Sequence, residues 1–216
     1  MSETVTLDMN SPSIQYLCKK DKRLAKVIDM VGPITYQIHD DDPFAFLVHE
    51  IIEQMLSIKA GAKIYSRLEY LCGGKITPET INSLSIEQIR STGTSSTKAN
   101  YIKGIAASVL SGSLIFDDLI VLSDEAVFKK LLSLRGIGQW TAKMYLIFVL
   151  NRPDILPYED VAFLQSYEWM YNSNDRSKEA VIKKCAKWKP YSSIASRYLY
   201  RALDYGLTKE EFHLYK

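Results

Sequence analysis

Two glycines, Gly136 and Gly138, interrupt a pattern that is otherwise apolar and helical from Leu131 to Leu150. A glycine inside a helix costs about 0.5–1 kcal/mol relative to alanine, so the pair predicts a tight turn between two helices. The second helix, from about Gln139, would begin with unpaired N–H groups and the positive end of its dipole. Because a phosphate can approach such a glycine loop closely, the segment predicts a contact that holds a DNA backbone without reading its sequence. A plain helical hairpin with a glycine C-cap explains the same spacing.

The composition limits what the whole chain can be. It has 216 residues, of which 47% are hydrophobic, and a formal charge of +2. This length is enough for one large domain or two small lobes, and the weak charge requires any nucleic-acid contact to be local. No apolar run reaches the ~18–20 residues of a membrane span, and the start MSETVTLDMN lacks the apolar centre of a signal peptide. We therefore expect a soluble intracellular protein without a membrane partner.

The residues that most often bind metals are scattered. Neither the cysteines nor the histidines have the spacing of a disulfide framework, a zinc site or an iron–sulfur cluster. These residues are Cys18, Cys72, Cys185, His39, His49 and His213. We assign the histidines no role and expect no required cofactor.

Helical patterns dominate the chain and must position the glycine turn. Ser11 to Gly32 predicts one helix with Pro12 at its first position, and Gly61 divides the apolar pattern that starts at Asp42 into two helices. The residues between, GPITYQIHDDD, are expected to be extended or looped and too short for a sheet of their own. Further helices are predicted in residues 77–93 (two short ones), 95–112, 123–134, 161–171, 177–188 and 190–206, with a capped last turn at 208–212. The predicted fold class is all-α, with roughly ten helices.

Five ordered motifs resemble the helix-hairpin-helix (HhH-GPD) DNA glycosylase superfamily, in its alkylpurine (3-methyladenine) branch. They are EQMLS, GTSSTKANYI, LRGIGQWTAKM, LPYEDVAF and WKPYSSIASRYLY. The resemblance covers about Asp42 to Gly206. It implies two interleaved helical lobes that form one unit over residues 1–216, with the helix-hairpin-helix motif at about 126–150 and the active site in the cleft between the lobes. DNA would bend over this cleft and flip its damaged nucleotide into it.

Flipping a base leaves a gap in the stack that an apolar side chain can fill. The resemblance assigns this wedge to Met55, flanked by Gln54 and Leu56, although many relatives have a second glutamine at Met55. A flexible thioether can adapt to different unpaired partners. The alternative is that Met55 and Leu56 form the buried face of a helix, which for Leu56 is the stronger interpretation.

Asp160 falls at the catalytic aspartate of the family. Its carboxylate would stabilise the developing sugar cation and orient or deprotonate the attacking water. Asp160 also stands where a helix should begin, so an N-cap is the competing role. Glu159 is the alternative carboxylate if the assignment is displaced by one residue.

Trp140 stands where bifunctional relatives have the lysine that attacks the sugar and forms a Schiff base. An indole cannot do this, so the resemblance implies a monofunctional enzyme. Lys143, three residues further, is expected to face DNA phosphate or solvent. Trp140, Met144 and Tyr200 would line the base pocket, where aromatic faces attract a cationic alkylated purine. Core packing is the alternative for all three, most strongly for Met144.

The remaining implied contacts are to the DNA backbone and to an ion. A phosphate 3′ to the lesion would be surrounded by Gly136, Gly138, Thr141 and Ala142, with further phosphate contacts at Ser57, Ser95 and Lys98 and candidate ones at Arg135 and Lys143. Family hairpins often hold a Na⁺ or K⁺ ion through main-chain carbonyls, here those of Leu132, Leu134 and Ile137. The lysine runs at 19–23 and 183–189 are interpreted as solvated helix faces.

The predicted function is a monomeric DNA glycosylase that hydrolytically removes alkylated purines such as 3-methyladenine and 7-methylguanine from double-stranded DNA, which initiates base excision repair. It would act in the bacterial cytoplasm or the eukaryotic nucleus. A catalytically silent protein of this fold that only binds bent or damaged DNA is the main alternative, and an all-α protein-interaction module without DNA affinity is the third.

Overall fold

Residues 3–38 and 42–215, the part of the chain that the computed structural model describes, are mostly helical. His39 lies outside these residues. The chain divides into two compact units, one with residues 3–38 and 151–215 and the other with residues 42–150. The predicted all-α class is confirmed, with one two-stranded sheet as the exception.

The helices and strands are connected mostly by short loops. The first segment contains β1 (Glu3–Leu7), α1 (Pro12–Lys20), α2 (Lys22–Val31) and β2 (Ile34–Ile38). The second unit contains α3 (Pro43–Glu53), α4 (Ile58–Leu71), α5 (Pro78–Ser83), α6 (Ile86–Ser91), α7 (Ser96–Leu110), α8 (Phe116–Val121), α9 (Asp124–Leu132), α10 (Gln139–Met144) and a π-helical turn (Tyr145–Val149). The last segment returns to the first unit with α11 (Val161–Tyr171), α12 (Lys178–Cys185), α13 (Ser192–Asp204) and the 3-10 turns Ala186–Trp188 and Leu207–Lys209.

The extended segment after α2 forms a sheet, contrary to the prediction. β2 pairs antiparallel with β1, and Leu7 lies opposite Ile34. Both side chains are buried in the core of the first unit. The prediction was wrong because the partner strand lies about thirty residues earlier, and a local pattern does not show a long-range pairing.

The helix predicted from Ser11 to Gly32 is two helices, because Asp21 divides it. One carboxylate oxygen of Asp21 accepts the N–H groups of Arg23 and Leu24, at 3.1 and 3.4 Å, and so caps α2. A short acidic side chain competes for backbone N–H groups in this way, which favours a new helix start over a continuous helix.

Asp21 is also the centre of a buried polar cluster in the first unit. Its second oxygen accepts hydrogen bonds from the Tyr171 hydroxyl, from Trp188 Nε1 at 2.9 Å and from Lys187 Nζ at 3.0 Å. Burial raises the pKa of Asp21, but these three donors outweigh it and hold the pKa below its ordinary value. The cluster joins α2, α11 and the turn after α12.

Gly61 does not divide two helices, since it lies inside α4. The break falls at residues 54–57, and Ser57 caps α4 by accepting the N–H of Ala60 at 3.4 Å. A Cβ on Gly61 would lie 2.8 Å from Cγ of Glu53. The glycine therefore permits close packing against the end of α3, a function that the sequence pattern does not distinguish from a helix break.

The other helical predictions are mostly confirmed. Two short helices, α5 and α6, have complete capping boxes at Thr77 and Ser85, and α7 is the predicted longer helix. The capped last turn was wrong, because the 3-10 turn at Leu207–Lys209 has no side-chain cap. Helix α8 and the π-helical turn were not predicted.

Among the described residues, no group of three or more His, Cys, Asp and Glu side chains could hold a metal ion. The three cysteines are free thiols. No helix in the described part of the chain is long and apolar enough to span a bilayer.

Candidate functional site

The glycine turn joins α9 to α10, and α9 ends at Leu132, two residues before the predicted end. Gly136 has a φ of +91°, which L side chains rarely adopt, and a Cβ there would lie 2.5 Å from ring atoms of Tyr101. Packing and backbone conformation therefore both require glycine at position 136. Arg135 beside it is exposed.

Gly138 differs from Gly136 because nothing inside the protein requires it to be glycine. Its φ of −97° is ordinary, the residue is exposed, and a Cβ there would have no atom within 4 Å. It is the N-cap of α10 and provides no side-chain cap for the first N–H groups of that helix. A group from outside the protein can therefore approach this backbone without obstruction.

The first turn of α10 is buried immediately after its exposed start. Thr141, Ala142 and Met144 are buried, and the Ala142 N–H donates to Gly138 O at 3.0 Å. Lys143 was expected to face phosphate or solvent, and this was wrong, since it is buried with 7% of its surface exposed. Four consecutive buried residues, from Thr141 to Met144, mean that the helix packs on all sides, so the spacing of Lys143 from Trp140 did not indicate exposure. Trp140 is half-buried.

The carbonyls of Leu132, Leu134 and Ile137 were predicted to hold an ion. Leu134 O accepts the Ile137 N–H at 3.2 Å, and a carbonyl oxygen has a second lone pair for another partner. Leu132 is exposed at the end of α9, and Ile137 is buried.

Met55 lies on the turn between α3 and α4, with its side chain fully exposed. Its φ of +59° is in the left-handed region. Leu56 beside it is 42% exposed. The alternative of a buried helix face was therefore wrong for both residues, because the helix ends at Glu53 and the turn directs them outward.

Two serines near this turn are exposed N-caps. Ser57 caps α4, and Ser95 caps α7 by accepting the Lys98 N–H at 3.3 Å. A hydroxyl that accepts from the backbone keeps its own proton as a donor. Both serines can thus cap a helix and still bind an anion.

The side chains of Gln54 and Lys98 are partly buried and donate hydrogen bonds within the protein. Gln54 Nε2 donates to Gly136 O at 2.9 Å and to Thr141 Oγ1 at 3.3 Å. Lys98 Nζ donates to Ile52 O at 2.9 Å and to Gln54 O at 2.6 Å. Gln54 therefore joins the Met55 turn to the glycine turn, and Lys98 holds the end of α3 at the start of the Met55 turn.

Asp160, in the first unit, is buried and caps α11. Its Oδ1 accepts the Phe163 N–H at 2.6 Å, and its own N–H donates to Pro157 O at 3.0 Å. The capping role is thus present. A carboxylate has about four lone-pair positions, so a cap does not exclude a second role. Glu159 is half-buried on the loop before the helix.

The loop that leads to Asp160 is anchored by residues to which the sequence analysis assigned no role. Asp154 accepts the Ser192 N–H at 3.2 Å and its hydroxyl at 2.5 Å. Ile155 N–H donates to the Ser193 hydroxyl at 2.8 Å, and Ser193 N–H donates to Pro153 O at 2.9 Å. The serine pair lies within the quoted motif WKPYSSIASRYLY, but side-chain partners across 38 residues have no local signal.

Tyr200 is half-buried on α13, the helix that packs against α11. Tyr36 lies in β2 of the same unit, and the Arg197 guanidinium stacks on its ring at 4.0 Å from the centroid. Burial raises the pKa of the Tyr36 hydroxyl. Trp188 is fully buried in the core cluster with Asp21 and has no exposed surface to offer a substrate.

The lysines of the two basic runs are exposed, but Arg23 in the first run is partly buried and donates to Met170 O at 2.7 Å. Lys19, Lys20, Lys22, Lys183, Lys184, Lys187 and Lys189 all lie on the surface. Lys187 is engaged with Asp21 as described, and the Tyr16 hydroxyl donates to Lys189 O at 2.6 Å.

Comparisons with known proteins identify the family of this chain. The family model "HhH-GPD superfamily base excision DNA repair protein" matches residues 48–190. DNA-3-methyladenine glycosylase 1 of Schizosaccharomyces pombe is 30% identical over 184 residues, which are 83% of this chain and 80% of that protein. The crystal structure of DNA-3-methyladenine glycosidase from Bacillus halodurans superposes with a TM-score of 0.84 at 35% identity and covers 97% of both chains. The S. pombe 3-methyladenine DNA glycosylase in complex with abasic DNA gives 0.83 at 27% identity, over 90% of this chain and 97% of the other. The chain therefore belongs to the HhH-GPD superfamily of base excision DNA repair proteins, in its 3-methyladenine DNA glycosylase branch.

Proposed function

We propose that this protein is a monofunctional DNA glycosylase that flips alkylated purines out of duplex DNA and hydrolyses their N-glycosidic bond. The observation that carries the proposal is Asp160, a carboxylate held in a buried position by the Phe163 N–H at the start of α11. The names of the relatives support glycosylase activity and disfavour both a silent DNA-binding protein and a protein-interaction module.

Base extrusion is the first step, because the glycosidic carbon cannot be reached inside the stack. Met55 is the wedge that fills the gap, and its full exposure on a left-handed turn supports this role. Leu56, which is partly exposed, extends the apolar surface. A wedge of this kind stabilises the kinked duplex that wraps the protein.

The glycine turn holds the DNA backbone during extrusion. The open approach to Gly138 supports a phosphate contact there, because no internal packing explains the missing side chain. Gly136 shapes the turn, and the exposed Ser57 and Ser95 hydroxyls donate to neighbouring phosphates. Thr141 and Ala142 support the glycine turn from inside the protein, because their side chains are buried.

Asp160 then supports the bond cleavage. As the glycosidic bond breaks, positive charge develops on the sugar, and a nearby carboxylate stabilises it electrostatically. The carboxylate also orients or deprotonates the water that attacks the sugar carbon. The cap to Phe163 fixes the direction of the carboxylate before the reaction, so that little reorganisation is needed.

Water is the nucleophile, because Trp140 offers no amine where a bifunctional enzyme has its lysine. The hairpin lysine, Lys143, is buried, which supports the same conclusion. The reaction therefore ends at an intact abasic site.

From the family resemblance, we propose that Trp140, Met144 and Tyr200 contact the flipped base. A purine alkylated at a ring nitrogen is cationic, and an aromatic face attracts a cation by about 0.5–2 kcal/mol. The charge also makes the base a good leaving group, so that 3-methyladenine and 7-methylguanine fit the site without a strong general acid.

The carbonyls of Leu132, Leu134 and Ile137 are proposed to hold a Na⁺ or K⁺ ion in the glycine turn. The second lone pair of Leu134 O fits this role. Such an ion would add positive charge beside the bound phosphate, and no other cofactor is required. The protein acts as a monomer wherever the chromosome lies, in the bacterial cytoplasm or the eukaryotic nucleus.

A duplex oligonucleotide with one 7-methylguanine tests the proposal. With protein in excess, alkali should reveal a break at the modified position, and the undamaged duplex should stay whole. A modified strand that stays intact after hours with saturating protein would exclude the proposed reaction.

A further inference from the structure

The backbone at Met55 is held in a conformation that its own side chain does not stabilise. Its φ of +59° lies in the left-handed region, which residues other than glycine, asparagine and aspartate seldom adopt. The side chain is fully exposed and makes no packing contact that could compensate. Such a conformation persists when the surrounding structure imposes it.

Lys98 is one of the two residues that impose the left-handed conformation of Met55. Its ammonium donates to Ile52 O at 2.9 Å and to Gln54 O at 2.6 Å, which are carbonyls three residues and one residue before Met55. The last carbonyls of a helix lack intrahelical partners and lie at the negative end of the dipole, so a lysine there stabilises the helix end. Lys98 thus fixes the point at which α3 ends and the Met55 turn begins.

Gln54 is the other. Its side-chain amide donates to Gly136 O at 2.9 Å and Thr141 Oγ1 at 3.3 Å, and both acceptors belong to the glycine turn or the helix that follows it. Gly136 in turn lies against the Tyr101 ring, which leaves no room for a side chain. The residue directly before Met55 is thereby tied to the segment proposed to hold phosphate.

We propose that Gln54 and Lys98 are positioning residues that fix Met55 at a set distance from the glycine turn, so that wedge insertion and phosphate binding occur together. This inference rests on the proposed function. Gln54 uses both amide protons and Lys98 two of its three ammonium protons inside the protein. The proposed role of both side chains is to act through Met55, by way of these bonds within the protein.

The test uses Gln54→Ala and Lys98→Met, with Lys98→Arg as the variant that keeps the donors. Lys103 supplies a matched control on the same helix, because its ammonium donates to Asn82 O and Leu84 O, each at 2.8 Å, at the end of α5. Lys103→Met removes the same kind of helix-end contact at a place unrelated to Met55.

Two functional readouts separate positioning from general stability. In single-turnover release of 7-methylguanine, Gln54→Ala and Lys98→Met should be about 10–50-fold slower at saturating protein, while Lys98→Arg recovers at least a third of the wild-type rate. In a duplex with 2-aminopurine next to an abasic analogue, the fluorescence increase caused by unstacking should fall in the two impaired variants. Lys103→Met should change both readouts less than twofold, even if its melting temperature falls as much as that of Lys98→Met.

Amide hydrogen exchange provides a readout that does not depend on catalysis. The Leu56 N–H donates to Glu53 O at 3.0 Å within the turn, and its exchange should be at least 10-fold faster in Gln54→Ala and Lys98→Met but unchanged in Lys103→Met. If wild-type protein released no base, the proposed function would fail, and the exchange and unstacking signals would still decide the positioning role. Unchanged exchange, or faster exchange with normal unstacking and release, would overturn the inference.

Discussion

Replacing Asp160 with asparagine separates the two roles that its carboxylate can have. Asparagine has nearly the same size and is as good an N-cap as aspartate, so the hydrogen bond from the Phe163 N–H should persist. Only the negative charge is lost. Because Asp160 is 7% exposed, solvent contributes little screening around that charge.

The size of the effect follows from Coulomb's law. For a sugar cation about 4 Å from the carboxylate, at an effective dielectric constant of about 20, the lost interaction is on the order of 4 kcal/mol. Water and neighbouring dipoles recover part of this, so the single-turnover rate of base release should fall by about 10²–10³-fold. Affinity for an uncharged abasic analogue should change only a few-fold, and the free energy of unfolding by less than about 1 kcal/mol.

The assay is single-turnover release of 7-methylguanine, with binding and thermal unfolding measured on the same preparations. Glu159→Gln is the matched control, since it removes a charge from the adjacent residue and should leave the rate within about threefold. If Asp160→Asn kept more than about a third of the wild-type rate, Asp160 would be a structural cap only. A large loss in Glu159→Gln would then move the catalytic assignment by one residue.

Three further predictions test the DNA contacts, the reaction type and the core. With about three to five phosphate contacts, the logarithm of the affinity for an abasic duplex should fall with the logarithm of salt concentration at a slope of roughly −3 to −5, and a slope near zero would remove the DNA-binding claim. Borohydride should trap no covalent complex and the abasic strand should stay whole until alkali is added, whereas efficient trapping would refute the monofunctional reaction. Asp21→Asn should lower the free energy of unfolding in urea by about 2–4 kcal/mol at neutral pH. The pKa of Asp21 is lowered in the folded protein. The stabilisation that Asp21 provides is therefore complete above the ordinary carboxyl pKa of about 4 and is lost as pH falls through the folded pKa. Between about pH 5 and 2, Asp21→Asn should thus lose less stability than wild type.

Helix starts were the most predictable part of the fold. Thr77, Ser85 and Ser95 each cap the helix that follows, because a short oxygen-bearing side chain directly satisfies N–H groups two or three residues away. This interaction is local and so visible in the sequence. The break at Asp21 depends on the same capping interaction. Because the apolar pattern continues on both sides of Asp21, the pattern predicted one continuous helix.

Glycine could not be interpreted from the sequence pattern alone. Gly61 permits close packing on Glu53, Gly136 has both a left-handed φ and a ring against it, and Gly138 has open space. These are three different reasons for the same missing Cβ. Only coordinates distinguish packing, backbone conformation and access.

The directions of the lysine and glutamine side chains were also outside the reach of sequence. Lys143 and Lys98 were both expected at a phosphate, yet Lys143 is buried and Lys98 directs two donors to the end of α3. A lysine has a flexible stem and three donors, so its position along the chain does not determine its partner. Met55, in contrast, is as exposed as a wedge requires, although the turn that exposes it was not foreseen.

The decisive measurement of alkylpurine glycosylase activity is the release of alkylated bases from methylated genomic DNA, identified by mass spectrometry. We expect free 3-methyladenine and 7-methylguanine to appear in proportion to wild-type protein, and Asp160→Asn to release them at least about 100-fold more slowly. The remaining strands should carry intact abasic sites. If wild-type protein bound this DNA but released neither base above the spontaneous background, the assignment as an alkylpurine glycosylase would be contradicted.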